Sequence, residues 1–154
     1  DLISRLRQQI SGLTVSTDLI LGFPGETEPL FDETMETLQL LDFSHIHAFP
    51  YSRRRGTPAA AFDDQVPDNI KKQRVAMVNA LSARQKRQLL EAMVGSPAHV
   101  LIEEQGGSVG EGFSENYERV TVEGLTGPCK GIIVPVHLVA VADNNVLKGM
   151  LKEE

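Results

Sequence analysis

The sequence contains little cysteine, few aromatic residues and no tryptophan. One of its 154 residues is a cysteine, Cys129, and Phe, Trp and Tyr together account for 5% of the chain. A single cysteine excludes an internal disulfide and any metal cage built from cysteines of this chain. No apolar run approaches the roughly 18 residues of a membrane-spanning helix, and no secretory leader is visible. We therefore expect a cytoplasmic protein without a membrane partner.

Charged residues are unevenly distributed along the chain, which has a net charge of −6. Residues 1–49 carry two basic and eight acidic side chains, residues 50–90 carry nine and three, and residues 91–154 carry four and ten. A basic middle segment between acidic flanks fits a surface that binds a polyanion. It fits a solvated helix face equally well.

The first part of the chain alternates between strand and helix patterns. TVSTDLIL is typical of a buried strand, EPLFDETMETLQLLD of an amphipathic helix and SHIHAFPY of a second strand. This order predicts parallel strands joined by helices, an α/β arrangement. After a polar loop at 50–69, apolar residues at helical spacing predict a long helix over 70–93.

The pattern changes from Pro97 onward, where short strands are separated by glycine and asparagine turns. About 60 residues of this kind are typical of a small closed β-barrel of the OB or SH3 type. We therefore predict two domains. An α/β domain with its linking helix occupies 1–94, and an all-β barrel occupies 95–154.

The stretch STDLILGFPGETE joins the first predicted strand to the first long helix through a turn between Gly22 and Gly25. It is not a phosphate-binding P-loop because no lysine follows Gly25, and its spacing does not match G-x-G-x-x-G. The glycines permit a positive φ or a close backbone approach, and a carboxylate such as Glu26 is favoured at a helix N-terminus. Taken alone, the turn favours a structural role over ligand binding.

Arginines and aromatic residues provide two candidate sites for RNA. SRRRGTP presents consecutive arginines, whose planar side chains match phosphates or carboxylates; pairing with Asp63 and Asp64 is the structural alternative. GFSENYERVTV offers Phe113, Tyr117 and Arg119 for stacking on bases and holding phosphates. The acidic excess of residues 91–154 predicts that RNA binding there depends on local contacts and is weak.

Four strings together resemble the radical S-adenosylmethionine methylthiotransferases: TDLILGFPGETE, FSHIHAFPYSRRRGTPAA, VPDNIKKQR, and GFSENYERV followed by VLKGML. FSHIHAFPYS favours the branch that methylthiolates N6-threonylcarbamoyladenosine beside the tRNA anticodon. The alternatives are the branches that act on isopentenyladenosine in tRNA or on a ribosomal protein. The resemblance implies a C-terminal fragment, with the end of a radical S-adenosylmethionine half-barrel at 1–94 and a TRAM domain, an OB-like RNA-holding barrel, at 95–154.

The resemblance also implies roles for individual residues. Cofactor contacts are expected near the ends of the two predicted strands, at Asp18, Ile20, Gly22, Glu26, Phe49 and Tyr51. Asp18 departs from the family pattern by replacing its first glycine, and Glu26 comes one residue late. RNA contacts are expected at Arg53, Arg54, Arg55, Tyr117, Arg119 and Lys130, and the three arginines are alternatively expected to reach the cofactor.

The implied cofactors are S-adenosylmethionine and two 4Fe–4S clusters, whose cysteine ligands are absent from this sequence. We therefore expect the chain to be inactive alone, to supply part of the cofactor pocket and to bind the anticodon stem-loop of tRNA. Its other expected partner is the missing N-terminal part of the same protein, and dimerisation through an exposed sheet edge is a further expectation. A stand-alone RNA-binding or adaptor module without catalysis remains the alternative.

Overall fold

The computed structural model describes residues 2–152, which form two compact units. The first unit contains the residues up to Ile10 together with Thr14–Lys86, and the second contains Ser11–Leu13 and the residues from Arg87 onward. The long helix α3 (Asp68–Met93) contributes to both units. Within residues 2–152, no helix has the length and apolar character needed to cross a membrane.

The first unit is built on two parallel strands and the helix that connects them. Helix α1 (Leu2–Gln9) is followed by β1 (Ser16–Leu21), α2 (Glu28–Leu41) and β2 (His45–Pro50). The strands pair from Ser16 opposite His45 to Leu21 opposite Pro50. Parallel strands need a crossover connection, which α2 supplies. The predicted α/β arrangement of strand, helix and strand is confirmed.

Apolar side chains hold this unit together on one face of the sheet. The buried core contains Leu21, Phe31, Leu38, Phe43, Ile46, Val78 and Leu81. Thr27 occupies the N-cap position of α2, where its carbonyl oxygen accepts from the Phe31 N–H at 3.0 Å, although its side chain makes no capping hydrogen bond. Helix α3 begins at Asp68, two residues before the predicted start. The polar loop before it contains a short 3₁₀ helix, Pro58–Ala61.

The second unit is a closed barrel of five strands. They are β3 (Pro97–Gly106), β4 (Val109–Ser114), β5 (Arg119–Glu123), β6 (Ile133–Val141) and β7 (Leu147–Leu151). The order around the barrel is β3-β4-β5-β7-β6, and β6 returns to β3. Only the β5–β7 pair is parallel among these described strands. The predicted small all-β barrel is confirmed.

Alternation along the barrel strands separates its core from its outer surface. Successive residues of β3 are alternately exposed and buried from Pro97 to Ile102, and β6 shows the same pattern. The buried members meet inside the barrel and include Val100, Ile102, Val120, Val122, Val136, Leu138 and Leu147. Because side chains of a strand point to opposite faces in turn, the intervening residues form the outer surface.

Candidate cofactor and nucleic-acid sites

One face of the β1–β2 sheet is exposed and carries three of the predicted cofactor residues. Asp18 and Ile20 lie on this face of β1, and Phe49 lies on the same face of β2. Ile20 pairs directly with Phe49, and 58% and 52% of these residues are exposed. Asp18 pairs with His47, whose ring lies edge-on to that of His45 at 4.2 Å between centroids. An exposed apolar pair two positions along the strand from a carboxylate suits a nucleoside, whose base takes apolar contacts and whose ribose hydroxyls donate hydrogen bonds.

The two glycines of the β1–α2 turn are contacted closely by other parts of the chain. Gly22 has a φ of 71°, and a Cβ placed on it would overlap the Cγ of Lys71. Gly25 has a φ of 85°; its N–H donates to the Asp64 carbonyl oxygen at 3.0 Å, and its Cβ would lie 2.7 Å from the Asp64 carboxylate. The turn therefore needs glycine for its backbone conformation and for packing against Lys71 and Asp64.

Glu26 lies in a network of hydrogen bonds and ion pairs centred on Arg74 of α3. Its Oε1 atom accepts from the Gly22 N–H at 3.0 Å and lies 2.6 Å from Nη1 of Arg74. Nη1 also donates to the Glu26 carbonyl oxygen at 2.9 Å, while Nη2 lies 3.0 Å from Glu28 Oε2. The guanidinium group also lies 5.0 Å from the centre of the Phe31 ring. Glu26 thus stabilises the turn that precedes α2.

Arg74 is 4% exposed, and its surroundings favour its charged form. Burial lowers the pKa of its guanidinium group, but hydrogen bonds and charges from Glu28 and Glu26 outweigh burial and raise the pKa above its ordinary value. Removing one partner of a buried ion pair is costly because the other charge is left uncompensated, so Arg74 and Glu26 depend on each other. The sequence placed Arg74 in the basic middle segment, interpreted as a polyanion-binding surface or a solvated helix face, because nothing in its spacing relates it to Glu26.

Tyr51 connects the end of β2 to the same turn. Its N–H donates to the Leu21 carbonyl oxygen at 2.7 Å, and its ring lies edge-on to Phe23 at 5.2 Å between centroids. Lys71 Nζ donates to the Tyr51 carbonyl oxygen at 3.2 Å. The predicted cofactor residues therefore form two groups: Asp18, Ile20 and Phe49 are available to a ligand, whereas Gly22, Glu26 and Tyr51 build and support the turn.

The arginine-rich loop is folded onto itself. Arg53 Nε donates to the Ala60 carbonyl oxygen at 2.6 Å, and the Thr57 hydroxyl donates to the Arg54 carbonyl oxygen at 2.8 Å. A cavity of about 780 Å³ is lined by Arg53, Arg55 and the residues of the turn that follows. The predicted structural alternative paired these arginines with Asp63 and Asp64. The fold instead places Asp64 against Gly25.

A second cavity, of about 680 Å³, brings Arg53 together with Lys71 and Lys72 of α3. Lys71 also lies 2.7 Å from the Asp68 carboxylate, whose pKa is lowered by this hydrogen bond and by the charges of Lys71 and Lys72. The basic middle of the sequence therefore contributes both to this cavity and to the buried pair at Arg74. The charge of the segment alone does not show which basic residues line the cavity and which are buried in ion pairs.

A row of four neighbouring side chains crosses the outer surface of the barrel. Leu101 on β3 pairs with Ile133 on β6 and with Phe113 on β4, and Phe113 pairs with Arg119 on β5. The guanidinium group of Arg119 lies 5.7 Å from the centre of the Phe113 ring and 3.1 Å from Glu111. Aromatic and apolar groups ending in an arginine are suited to stacking on bases.

Tyr117 lies beside this row, at the turn between β4 and β5. It shares a cavity of about 430 Å³ with His99, Leu101, Glu103, Phe113, Ser114, Glu115 and Ile133. The fold thus brings Tyr117 and Arg119 near residues that sequence reasoning missed, namely His99, Leu101, Glu115 and Ile133. The signal available in the sequence was the alternation of β3 and β6, which places the apolar residues Leu101 and Ile133 on the outer face. Lys130 is exposed in the segment between β5 and β6 and does not line this cavity.

Metal-ligating side chains do not assemble into a candidate centre in the described part of the chain. Residues 2–152 contain no group of three or more His, Cys, Asp or Glu side chains that is arranged to hold an ion. The single cysteine, Cys129, is half-buried, and its N–H donates to Gln105 Oε1 at 2.6 Å. This environment anchors the backbone near the turn before β6.

Curated proteins with similar sequences include enzymes named for the methylthiolation of tRNA. The chain is 37% identical over 143 residues to the threonylcarbamoyladenosine tRNA methylthiotransferase MtaB of Bacillus subtilis, covering 90% of this chain and 32% of that protein. It is 38% identical over 127 residues to the tRNA-2-methylthio-N(6)-dimethylallyladenosine synthase of Acinetobacter baumannii, covering 80% and 26%. The corresponding synthase of Bordetella petrii is 44% identical over 101 residues, covering 66% and 21%. The chain therefore spans a third or less of the length of these relatives.

Two other comparisons give no further assignment. No protein-family model matches the chain. A solved multidomain protein with nucleic acid binding domains from Streptococcus pneumoniae aligns over 40% of this chain and 23% of that protein, with a TM-score of 0.36 and 14% identity. A score at that level does not establish a shared fold.

Proposed function

Because the chain belongs to the tRNA methylthiotransferase family, we propose that it forms the C-terminal part of a radical S-adenosylmethionine enzyme that methylthiolates tRNA. In this proposal the α/β domain predicted at 1–94 completes a radical S-adenosylmethionine half-barrel. The barrel at 95–154 is a TRAM domain that holds the anticodon stem-loop. The supporting observation is the row of Ile133, Leu101, Phe113 and Arg119 across adjacent strands of an otherwise acidic barrel.

The exposed face of the β1–β2 sheet is the proposed wall of the cofactor pocket. The adenosine part of S-adenosylmethionine would lie against Ile20 and Phe49, with the Asp18 carboxylate available to accept from hydroxyl groups. When bound, S-adenosylmethionine and iron–sulfur clusters supply the radical chemistry and the methyl group. Gly22, Glu26 and Tyr51 would not contact the cofactor themselves. Their contacts within the protein fix the turn at the end of β1.

We propose that this chain alone has no methylthiotransferase activity. Fe–S clusters are held by cysteine thiolates, and Cys129 is the single cysteine of the sequence. The coding sequence upstream of residue 1 tests this assignment, because a C-x-x-x-C-x-x-C motif is expected there. An upstream sequence that lacks this motif would exclude the enzyme and favour a stand-alone RNA-binding module.

N6-threonylcarbamoyladenosine is the proposed substrate nucleoside. The match to the Bacillus subtilis relative extends over 90% of this chain, compared with 80% and 66% for the two dimethylallyladenosine synthases. Mass spectrometry of tRNA nucleosides from a strain that lacks the gene tests this choice. Loss of the 2-methylthio derivative of threonylcarbamoyladenosine is expected, whereas loss of the dimethylallyladenosine derivative would reassign the substrate.

A salt-dependent titration with a tRNA anticodon stem-loop tests the role of the barrel. Arg119→Ala is expected to weaken binding several-fold and to reduce the slope of log affinity against log salt by about 1, because one phosphate contact is lost. Simultaneous replacement of Arg53, Arg54 and Arg55 by alanine is expected to reduce the slope further. Lys148→Ala, an equal charge change on β7, is the control. Unaltered binding by both arginine variants would show that the proposed contacts are wrong.

A further inference from the structure

The cavity beside Tyr117 is lined by the kinds of residue that bind a flat ring. Leu101, Phe113 and Ile133 provide apolar walls, and Tyr117 provides a second aromatic ring. Its volume of about 430 Å³ lies within the usual range for small-ligand pockets. His99, Glu103, Ser114 and Glu115 add polar groups at the same cavity. A heteroaromatic ring with polar substituents matches this combination.

Tyr117 has an unusual backbone conformation for a bulky residue. Its φ is 59°, in the left-handed region, and 86% of the residue is exposed. The turn holds it there, because the Tyr117 N–H donates to the Ser114 carbonyl oxygen and the Ser114 N–H donates to that of Glu118, both at 2.9 Å. Glycine adopts this conformation at lower cost than tyrosine does. A strained, exposed aromatic residue beside a cavity indicates a binding role.

Glu115 is a fixed hydrogen-bond acceptor at the same cavity. Its Oε2 atom accepts from the His99 N–H at 2.9 Å, and Oε1 lies 3.6 Å from His99 Nδ1. Burial raises the pKa of Glu115, but backbone N–H groups of Glu115 and His99 and the His99 side chain outweigh it, so the pKa is lowered. The carboxylate therefore stays ionised at neutral pH and retains lone pairs for a ligand.

A carboxylate distinguishes between nucleobases by their exocyclic groups. The amino groups of cytosine and adenine donate hydrogen bonds to it, whereas the corresponding position of uracil carries a carbonyl oxygen, which is an acceptor. Two acceptors facing each other repel, and a uracil would leave one of them unsatisfied. Recognition of a base edge also explains how a barrel with an excess of acidic residues would bind RNA, because the contact does not depend on phosphates.

We propose that this cavity receives one unstacked nucleobase carrying an exocyclic amino group, with its ring against Phe113 and Tyr117 and its amino group donating to Glu115. The inference rests on the proposed RNA-binding function of the barrel and specifies which part of the nucleotide is recognised. Cytosine and uracil form the most informative pair, because their rings are similar in size and differ at this exocyclic position.

Fluorescence anisotropy of the full chain with short single-stranded oligonucleotides of cytidine and of uridine, at one fixed salt concentration, tests the proposal. The cytidine oligonucleotide is expected to bind about tenfold more tightly. Glu115→Gln is expected to remove most of this preference, because the amide retains an acceptor for His99 but also presents a donor. Glu123→Gln, the same charge change on β5, is the control and should leave the preference unchanged.

Tyr117→Gly separates ring stacking from folding. Glycine suits the left-handed conformation, so the variant is expected to remain as resistant to urea as the unaltered chain while binding both oligonucleotides about tenfold more weakly. Equal binding of the two oligonucleotides, still weakened by Tyr117→Gly, would overturn the base preference and leave the RNA-binding function intact. Failure of both oligonucleotides and of the anticodon stem-loop to bind would overturn both proposals. A cytidine preference that survives Glu115→Gln would overturn the role of Glu115.

Discussion

The two units of this chain use their charged residues in different ways. In the first unit, Arg74 is buried and holds Glu26 and Glu28, so its charge stabilises the turn between β1 and α2. On the barrel, Arg119 pairs with Glu111 at the surface, and both side chains are about half exposed. The same type of pair is therefore internal support in one unit and part of an accessible surface in the other. Burial, rather than residue type, distinguishes the two roles.

This difference changes how the candidate sites are interpreted. In the first unit, Gly22 and Glu26 of the turn make contacts within the protein. The apolar residues Ile20 and Phe49 are exposed instead. On the barrel, Tyr117, Leu101 and Ile133 are exposed together. In the proposed function, ligand contacts of the first unit would come from the sheet face, and the turn residues would support that face from within the protein.

Replacing Arg74 by alanine should have the largest effect on stability. The substitution leaves the largely buried Glu26 carboxylate without its cation, and it also removes the pair with Glu28. We expect the free energy of unfolding to fall by about 3 kcal/mol, in line with the loss of one partner from a buried pair. Urea unfolding followed by circular dichroism measures this change.

Arg84→Ala is the matched control for Arg74→Ala. Arg84 lies on the same helix and is exposed, so its replacement is expected to change the free energy of unfolding by less than about 0.5 kcal/mol. Equal destabilisation by the two variants would contradict the assignment of Arg74 as internal support. It would also remove the contrast between the first unit and the barrel.

Replacing Gly22 by alanine should have the second-largest effect. A left-handed φ costs a non-glycine residue about 1 kcal/mol, and the new methyl group must also displace the Lys71 side chain. We expect a total loss of about 2 kcal/mol in urea unfolding. Gly56→Ala is the control, because Gly56 has a φ of 86° and its Cβ would meet no atom within 4 Å.

A double-mutant cycle with Lys71→Ala isolates the steric part of the Gly22 effect. Lys71→Ala removes the Cγ and Cδ atoms that a Cβ at position 22 would meet and leaves only the Cβ of residue 71, at 3.3 Å. In this background Gly22→Ala should cost little more than Gly56→Ala, so the two substitutions should show favourable coupling. Equal losses for Gly22→Ala and Gly56→Ala in the unaltered background would show that packing against Lys71 does not require glycine.

Sequence patterns predicted local structure well in both units. Period-two alternation and apolar runs identified β1, β2 and the barrel strands, because each strand must bury one or both faces. Helical spacing identified α2 and nearly all of α3. The closure of the barrel also followed from the number and length of its short strands.

Contacts between residues distant in sequence were the part that patterns did not predict. The Glu26–Arg74 pair joins residues 48 positions apart, and Leu101 pairs with both Phe113 and Ile133 only through the strand register. A turn with two glycines fits a ligand site and a packed junction equally well until its neighbours are known. Lys71 of helix α3 and Asp64 of the loop before it both contact this turn, and no pattern in the sequence near the turn predicts those contacts.

The smallest expected effect is the dependence of barrel stability on the ionisation of Glu115. Because the folded chain lowers the pKa of Glu115, its contribution to stability is complete above the ordinary carboxyl value of 4.5 and is lost as the pH falls through the lower, folded value. His99 and Glu115 are 67% and 51% exposed, so the contribution should stay below about 1 kcal/mol. Urea unfolding should therefore show Glu115→Gln to be slightly less stable at about pH 7 and equally stable at about pH 2. A difference that persists at the acidic pH would indicate that the carboxylate charge is not its source, and Glu115 would then resemble Glu26 as a structural residue.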